Sequence, residues 1–383
     1  MARLGDYIEQ IRGVSYKPED VCSSTDIDAV AILRANNIQD DELIFDDLVY
    51  VKNSKVHEKQ YIQKGDIVVC ASSGSKGLVG KAAIATEDMY ISFGAFCKVV
   101  RPKKLSPSYV GHYFQSPKYR STISELAGGA NINNIRNEHI DELIIEVVPE
   151  EEQIRIINEL DKVSNLISLR KQQLSKLDEL VKSRFIEMFG DQDTNPLGWK
   201  QCTIGECCTL KSGTTLSAEV ENEGGSVPYV KVGDMNFPGN ERYITTSSRY
   251  VTEETAGKGL FEVGSIIFPK RGGAIGTNKK RMTKMLICAD LNVMGVSSNG
   301  ELLPEYLFAY FDLIDLGELS DGSSVPQINN KNIAPLVICI PPMELQQQFA
   351  AFVEQVDKSK FEIQKSLAKL ETLKKALMQK YFG

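Results

Sequence analysis

Histidine and tryptophan are scarce in this sequence: 383 residues hold three of the first and one of the second. The histidines, His57, His112 and His139, stand apart with no obvious acidic or serine partner motif, so they read as surface or satisfied structural residues. No stretch approaches the roughly 20 apolar residues that a membrane span needs. The start, MARLGDYIEQ, has no apolar run after its charge. A cytoplasmic protein is expected. Disulfide spacing is missing too, since Cys70, Cys97, Cys288 and Cys339 lie inside apolar, strand-like runs, as buried thiols do in a reducing compartment. Cys202, Cys207 and Cys208 cluster, but without a second pair at zinc-ribbon spacing or a nearby histidine they imply no metal site.

Catalytic signatures are also wanting. An amino-methyltransferase would carry Asn or Asp, then two prolines and an aromatic, whereas Pro341 and Pro342 follow Ile340, precede Met343 and read as a helix start. SKGLVGKA would need glycine at Ser75 and Ser or Thr at Ala82 to cradle phosphate. GGAIG, Gly272 to Gly276, follows Pro269, Lys270 and Arg271 and precedes more basic residues, which suits a loop whose backbone approaches DNA phosphate better than a cofactor loop. No cofactor is implied.

Charge is plentiful but uneven. The net value of −7 argues mildly against a simple nucleic-acid coat. Yet Lys270, Arg271, Lys279, Lys280, Arg281 and Lys284 crowd one region, and Arg101, Lys103 and Lys104 another. Phosphate neutralisation is local, so a local basic face suffices for DNA.

The strongest positive signal is an internal repeat. With Gly190 set against Gly383, Ile135 falls on Ile328, Asn137 on Asn330, Ile140 on Ile333, Leu143 on Leu336, Pro149 on Pro342, Gln153 on Gln346 and Phe189 on Phe382. Each copy has a polar loop (Asn131 to Asn134; Gln327 to Asn330), a short strand (LIIEVV; LVICI), then a proline with acidic residues just after it, which suits a helix N-terminus. From there apolar residues recur at spacings of three and four, as in a heptad seam: Val163, Ile167, Leu174, Leu177 and Val181, then Val356, Ile363, Leu367, Leu370 and Leu377. Helices of about 35 residues, on the order of 50 Å long, are expected to pair as an antiparallel coiled coil with Leu177 and Leu370 facing each other. A fainter repeat precedes them, VAILRANNI against VPYVKVGDM and QKGDIVVCASSG against EVGSIIFPKRGG, each ending a buried strand in a polar or glycine loop.

In this order and twice over, LRANNI and VKVGDM, GDIVVCASSG and GSIIFPKRGG, GSSVPQINNKNI, IPPMELQQQ and the MFG and YFG ends resemble the DNA-specificity subunits of type I restriction and modification systems, over the whole chain. The resemblance implies a mixed α/β fold class with two target-recognition domains and two long antiparallel helices. The corresponding ranges are 1–148 for the first domain, 149–190 for its helix, 191–341 for the second domain and 342–383 for the closing helix. It further implies a non-catalytic chain that reads a bipartite double-stranded DNA target and docks two methyltransferase subunits, sometimes with restriction subunits. A free-standing nuclease or methyltransferase is disfavoured by the missing signatures. A coiled-coil scaffold without direct DNA reading is disfavoured by basic glycine loops in corresponding places.

Arg and Lys suit guanine, Asn and Gln suit adenine. The candidate DNA-binding residues are therefore Arg34, Asn36, Asn37, Ser72, Ser73, Ser75, Lys76 and Lys81 in the first domain, and Lys231, Lys270, Arg271, Asn278, Lys279 and Lys280 in the second. Arg271 is expected to read bases, and Lys280 to attract phosphate diffusely.

Overall fold

The computed structural model describes every residue except Lys76, 127–132 and Glu223, and gives the backbone alone at Asn133, Asn222 and Lys258. Part of the expected Asn131 to Asn134 loop and the Lys76 candidate thus lie outside the described residues. Among the described residues no helix is long and apolar enough to cross a membrane. The chain divides into two compact units, Met1–Lys171 with Lys365–Gly383, and Gln172–Gln364.

In the first unit an antiparallel sheet runs in the order Ile8–Arg12, Cys97–Pro102, Ile67–Cys70, Ala82–Ile84. A second sheet sets Ala29–Leu33 between Val49–Lys52 and the parallel strand Ile91–Phe93. The run IVVC is wholly apolar because the strand is covered on both sides. Ile67 and Val69 join one core cluster with Tyr109 and Phe114, while Val68 and Cys70 join another with Phe93 and Val99. The second unit repeats the plan. Its larger sheet runs Cys208–Ser212, Val293–Ser298, Ile266–Pro269, Arg281–Thr283, Tyr243–Ile244. Its smaller one pairs Val227–Val230 in parallel with Ile287–Ala289. Ile266 and Phe268 again face one cluster and Ile267 the other.

The turn glycines show why the faint repeat is real. Gly65 (φ +87°) and Gly264 (φ +85°) each occupy the left-handed region, and a Cβ at either would lie 2.7 or 2.6 Å from a side-chain carbon of Pro107 or Pro304. Only glycine satisfies both constraints. Each proline opens a helix of its unit, Pro107–Gln115 or Pro304–Leu313.

The long helices are Glu150–Phe189 and Met343–Phe382, 40 residues each and so about 60 Å by helical rise. Both begin directly after Pro149 or Pro342. Within each unit the two helices run antiparallel. In the first, Arg155 and Glu159 lie against Tyr381 while Arg170 reaches Ser366. In the second, Asp178 pairs with Lys360 while Phe185 and Phe189 stack near Phe349. This register corrects the expected Leu177 and Leu370 contact. Leu177 adjoins the Asp178 and Lys360 level and packs on the second unit's core, whereas Leu370 lies a turn beyond the Arg170 and Ser366 level in the first. Aromatic residues do much of the packing that a leucine seam was expected to do. Phe185, Phe189, Tyr306 and Phe349 gather with centroids 4.8–5.6 Å apart, and Phe382 meets Tyr109 at 5.2 Å and Tyr113 at 6.0 Å.

One buried glutamine near the start of each long helix ties it to the neighbouring Pro-led helix. Gln153 accepts from Ser106 N at 2.9 Å and donates to Val148 O at 3.0 Å; Gln346 accepts from Leu303 N at 2.8 Å and donates to Pro341 O at 2.9 Å. Ser106 and Leu303 cap the helices that Pro107 and Pro304 open. A long-helix amide thereby satisfies a backbone donor that such helix starts leave open.

Candidate nucleic-acid interface

In the first unit the buried strand Ile67–Cys70 runs out into Ser72–Ser73, which pairs antiparallel with Asn133–Asn134. Ile135 N donates to Ala71 O at 2.8 Å. In the second unit, Ile266–Pro269 runs out into Lys270 and Arg271; Arg271 bridges Gln327, and Ile328 N donates to Lys270 O at 2.9 Å. The polar loop before each long helix therefore lies edge to edge with the loop leaving the buried strand. Ser72 and Asn134 occupy the positions that Arg271 and Gln327 hold in the other copy.

Side chains at these edges differ in what they are free to do. Arg271 is exposed, and among the described residues no partner engages its guanidinium. Ser72, Ser73 and Lys81 are half-buried at the surface, and Ser73 Oγ accepts from Ser75 N at 3.1 Å. Arg120, which sequence reasoning missed, braces this loop by donating to Val79 O at 2.9 Å and Gly77 O at 3.1 Å. No local pattern marks that role, because Arg120 belongs to a different element.

Other candidates are committed to holding their own loops. Asn37 is 1% exposed; it accepts from Arg34 N at 2.8 Å and donates to Ile44 O and Asp46 O. Arg34 pairs with Asp47 at 2.7 Å, and Asn36 donates weakly to the same carboxylate at 3.3 Å. Lys231 pairs with Glu221 and lies over the Tyr229 ring. Lys270 donates to Ser212 Oγ at 2.8 Å, and burial together with the adjacent Arg271 charge pulls its pKa down.

The glycine loop's end overturns one expectation outright. Lys280, expected to attract phosphate from the surface, is 3% exposed. Its ammonium donates to Ile314 O at 2.6 Å and Asn278 Oδ1 at 2.9 Å, and burial depresses its pKa to about 8. A cation so enclosed cannot meet a phosphate oxygen. Asn278, left-handed at φ +52°, also accepts from Leu316 N at 2.9 Å, so its carbonyl staples the chain rather than facing outward. Lys279 donates to Asn236 Oδ1, and Arg281 to Met235 O at 3.0 Å. The basic run in the sequence is thus largely a set of internal fasteners. Arg101 behaves alike, forming a two-point pair with buried Asp66 at 2.7 Å, and Lys103 pairs with Glu9 at 2.7 Å.

All eight cysteines are free, and burial raises the Cys202 thiol to about 12 and those of Cys207 and Cys208 to about 11. Such thiols stay protonated at neutral pH and are poor nucleophiles and ligands.

Comparison with known proteins gives a consistent outcome. The family model described as the type I restriction modification DNA specificity domain matches twice, over residues 1–179 and 196–375. The specificity subunit of the type I restriction enzyme EcoKI of Escherichia coli K12 is 28% identical, with 97% of this chain and 86% of that one covered. The StySPI specificity subunit of Salmonella potsdam is 29% identical with the same coverage. Among solved structures, the S subunit of a type I restriction-modification system from M. genitalium shares the fold, with a TM-score of 0.55 at 18% identity over all of this chain and 95% of that one.

Proposed function

The chain belongs to the type I restriction modification DNA specificity family, and from that membership we propose that it reads an asymmetric, two-part duplex target for a restriction-modification complex. It performs no chemistry itself. Methylation belongs to methyltransferase subunits that dock on it, two per chain, and cleavage to restriction subunits where these join. The eight free thiols suit the reducing cytoplasm as its place of action.

One observation carries the two-part reading. The same main-chain position carries neutral Ser72 in one unit and cationic Arg271 in the other, with Ala71 and Lys270 just before them. Equal frames with unequal side chains are what a single chain needs to read two unlike sequences. The net charge of −7 fits, because the partners can supply much of the phosphate contact.

Methylome sequencing of cells expressing this chain with its neighbouring methyltransferase tests the proposal. A single split, asymmetric motif is expected, and a contiguous palindrome would contradict it. The purified chain alone should transfer no methyl group, yet bind the mapped duplex with a steep salt dependence. Complex assembly without sequence-selective duplex binding would favour the coiled-coil scaffold instead.

A further inference from the structure

Because the two units repeat one plan, positions in them can be matched by hydrogen bonds where residue identity fails. Strand Ile91–Phe93 leads into a turn that Cys97 N closes onto Gly94 O at 2.8 Å; strand Ile287–Ala289 leads into a turn that Val293 N closes onto Asp290 O at 2.9 Å. Each turn is anchored alike, Gly94 N on Leu33 O and Asp290 N on Val230 O, both at 2.9 Å. The third turn residue gives its carbonyl to the end of the buried strand. Phe96 O accepts from Ala71 N at 2.8 Å and Ser72 N at 3.0 Å, and Asn292 O accepts from Lys270 N at 2.9 Å. Phe96 and Asn292 therefore hold one position in two copies, directly beside the recognition loops.

Their chemistry is unlike, and neither side chain serves a core. Phe96 is 68% exposed, although its flanking strand residue Cys97 is 1% exposed and Ala71 beneath it 5%. A phenyl ring on so fixed a backbone faces water where an apolar partner could meet it. Asn292 is aimed instead: its backbone N and its Nδ2 donate to Asp290 Oδ1 at 2.9 and 2.7 Å. That leaves the carbonyl oxygen and one amide hydrogen open, the pair that matches adenine N6 and N7. On the major-groove edges of DNA the apolar feature is the thymine methyl.

Resting on the DNA-reading function above, we propose that this turn position sets base choice in both half-sites, Phe96 through a thymine C5-methyl group and Asn292 through the N6 and N7 edge of adenine. The position is a specificity determinant outside the glycine loops that the basic residues draw attention to.

The test uses the full chain and duplexes of the mapped target in competition binding. Thymines are replaced one at a time by uracil, which lacks only the methyl group, and adenines by 7-deazaadenine, which lacks the N7 acceptor. Uracil at one thymine of one half-site should weaken the parent chain roughly fivefold or more, and Phe96→Ala should bind the thymine and uracil duplexes alike. Phe96→Leu should regain part of the preference. Asn292→Ala should likewise become indifferent to 7-deazaadenine at one position of the other half-site. Melting temperatures of the variants, unchanged at the exposed Phe96, report folding separately. The assignment is overturned if Phe96→Ala keeps the parent's preference for thymine over uracil, if Asn292→Ala keeps the parent's preference for adenine, or if the half-site read by the first unit contains no thymine. A parent chain that fails to distinguish the mapped duplex from a scrambled one would instead remove the DNA-reading function on which the assignment stands.

Discussion

At the scale of single residues, the structure separates cations that face outward from cations that hold the fold. Arg271 leaves a rigid strand with its guanidinium open, and a bidentate contact to guanine is worth about 1–3 kcal/mol of discrimination. Arg271→Ala should therefore abolish preference for one half-site and leave the other intact, as read by competition binding with each half-site scrambled in turn. Equal losses for cognate and scrambled duplexes would make it a phosphate contact. Lys280 behaves otherwise. Burial holds its folded pKa near 8, against 10.5 for the free side chain, so between those values the unfolded chain binds the extra proton and stability rises with pH. Below about pH 8 the lysine is charged in both states and its burial cost is fully present. Each unit of depression corresponds to about 1.4 kcal/mol. Lys280→Met should flatten the stability profile between pH 8 and 9.5, followed by urea unfolding, without altering the salt dependence of DNA binding. Lys98, also near 8 and bonded to Gln10 and Asn137, gives the remaining slope. Nothing in a run such as TNKKRM tells which lysine turns inward, because the acceptor that captures Lys280, Ile314 O, lies 34 residues along the chain.

At the scale of elements, what the repeat makes legible is whatever must be the same twice. Gln153 and Gln346 align in the sequence, and each accepts from the residue capping its unit's Pro-led helix. Gly65 and Gly264 align, and both need a positive φ beside a proline. The turn carrying Phe96 and Asn292 is invisible to alignment, since its contacts run through main-chain atoms that any side chain permits. Coiled-coil patterning was likewise only half informative. It fixes the existence of the long helices and their apolar stripe, but not their register, which the bulky Phe185, Phe189 and Phe349 cluster and the Asp178 and Lys360 pair help to set. A direct check on the glutamine ties follows. Gln346→Leu leaves Leu303 N, Pro341 O and Glu301 O without this partner, and each unsatisfied group costs about 1–3 kcal/mol, so a loss of about 2 kcal/mol or more is expected in denaturant unfolding. An unchanged midpoint would show that water replaces the amide.

At the scale of the whole molecule, each compact unit borrows from both copies of the repeat. The core of the first unit includes Met378, Tyr381 and Phe382, with Leu377 packed against it. Removing residues 365–383 should therefore lower hydrogen-exchange protection throughout 1–171 while 172–364 keeps most of its own, and uniform loss across both would mean that the units do not fold separately. Order of synthesis gives this borrowing a further meaning. A ribosome delivers residues 1–171 first, yet the pocket formed by Tyr109 and Tyr113 stays open to water until Phe382 has emerged. The second unit, bounded by Gln172 and Gln364, has all its parts before then. Of the two units, the one made first is thus completed after the other, and during that interval its uncovered aromatic surface is exposed to aggregation and to chaperones.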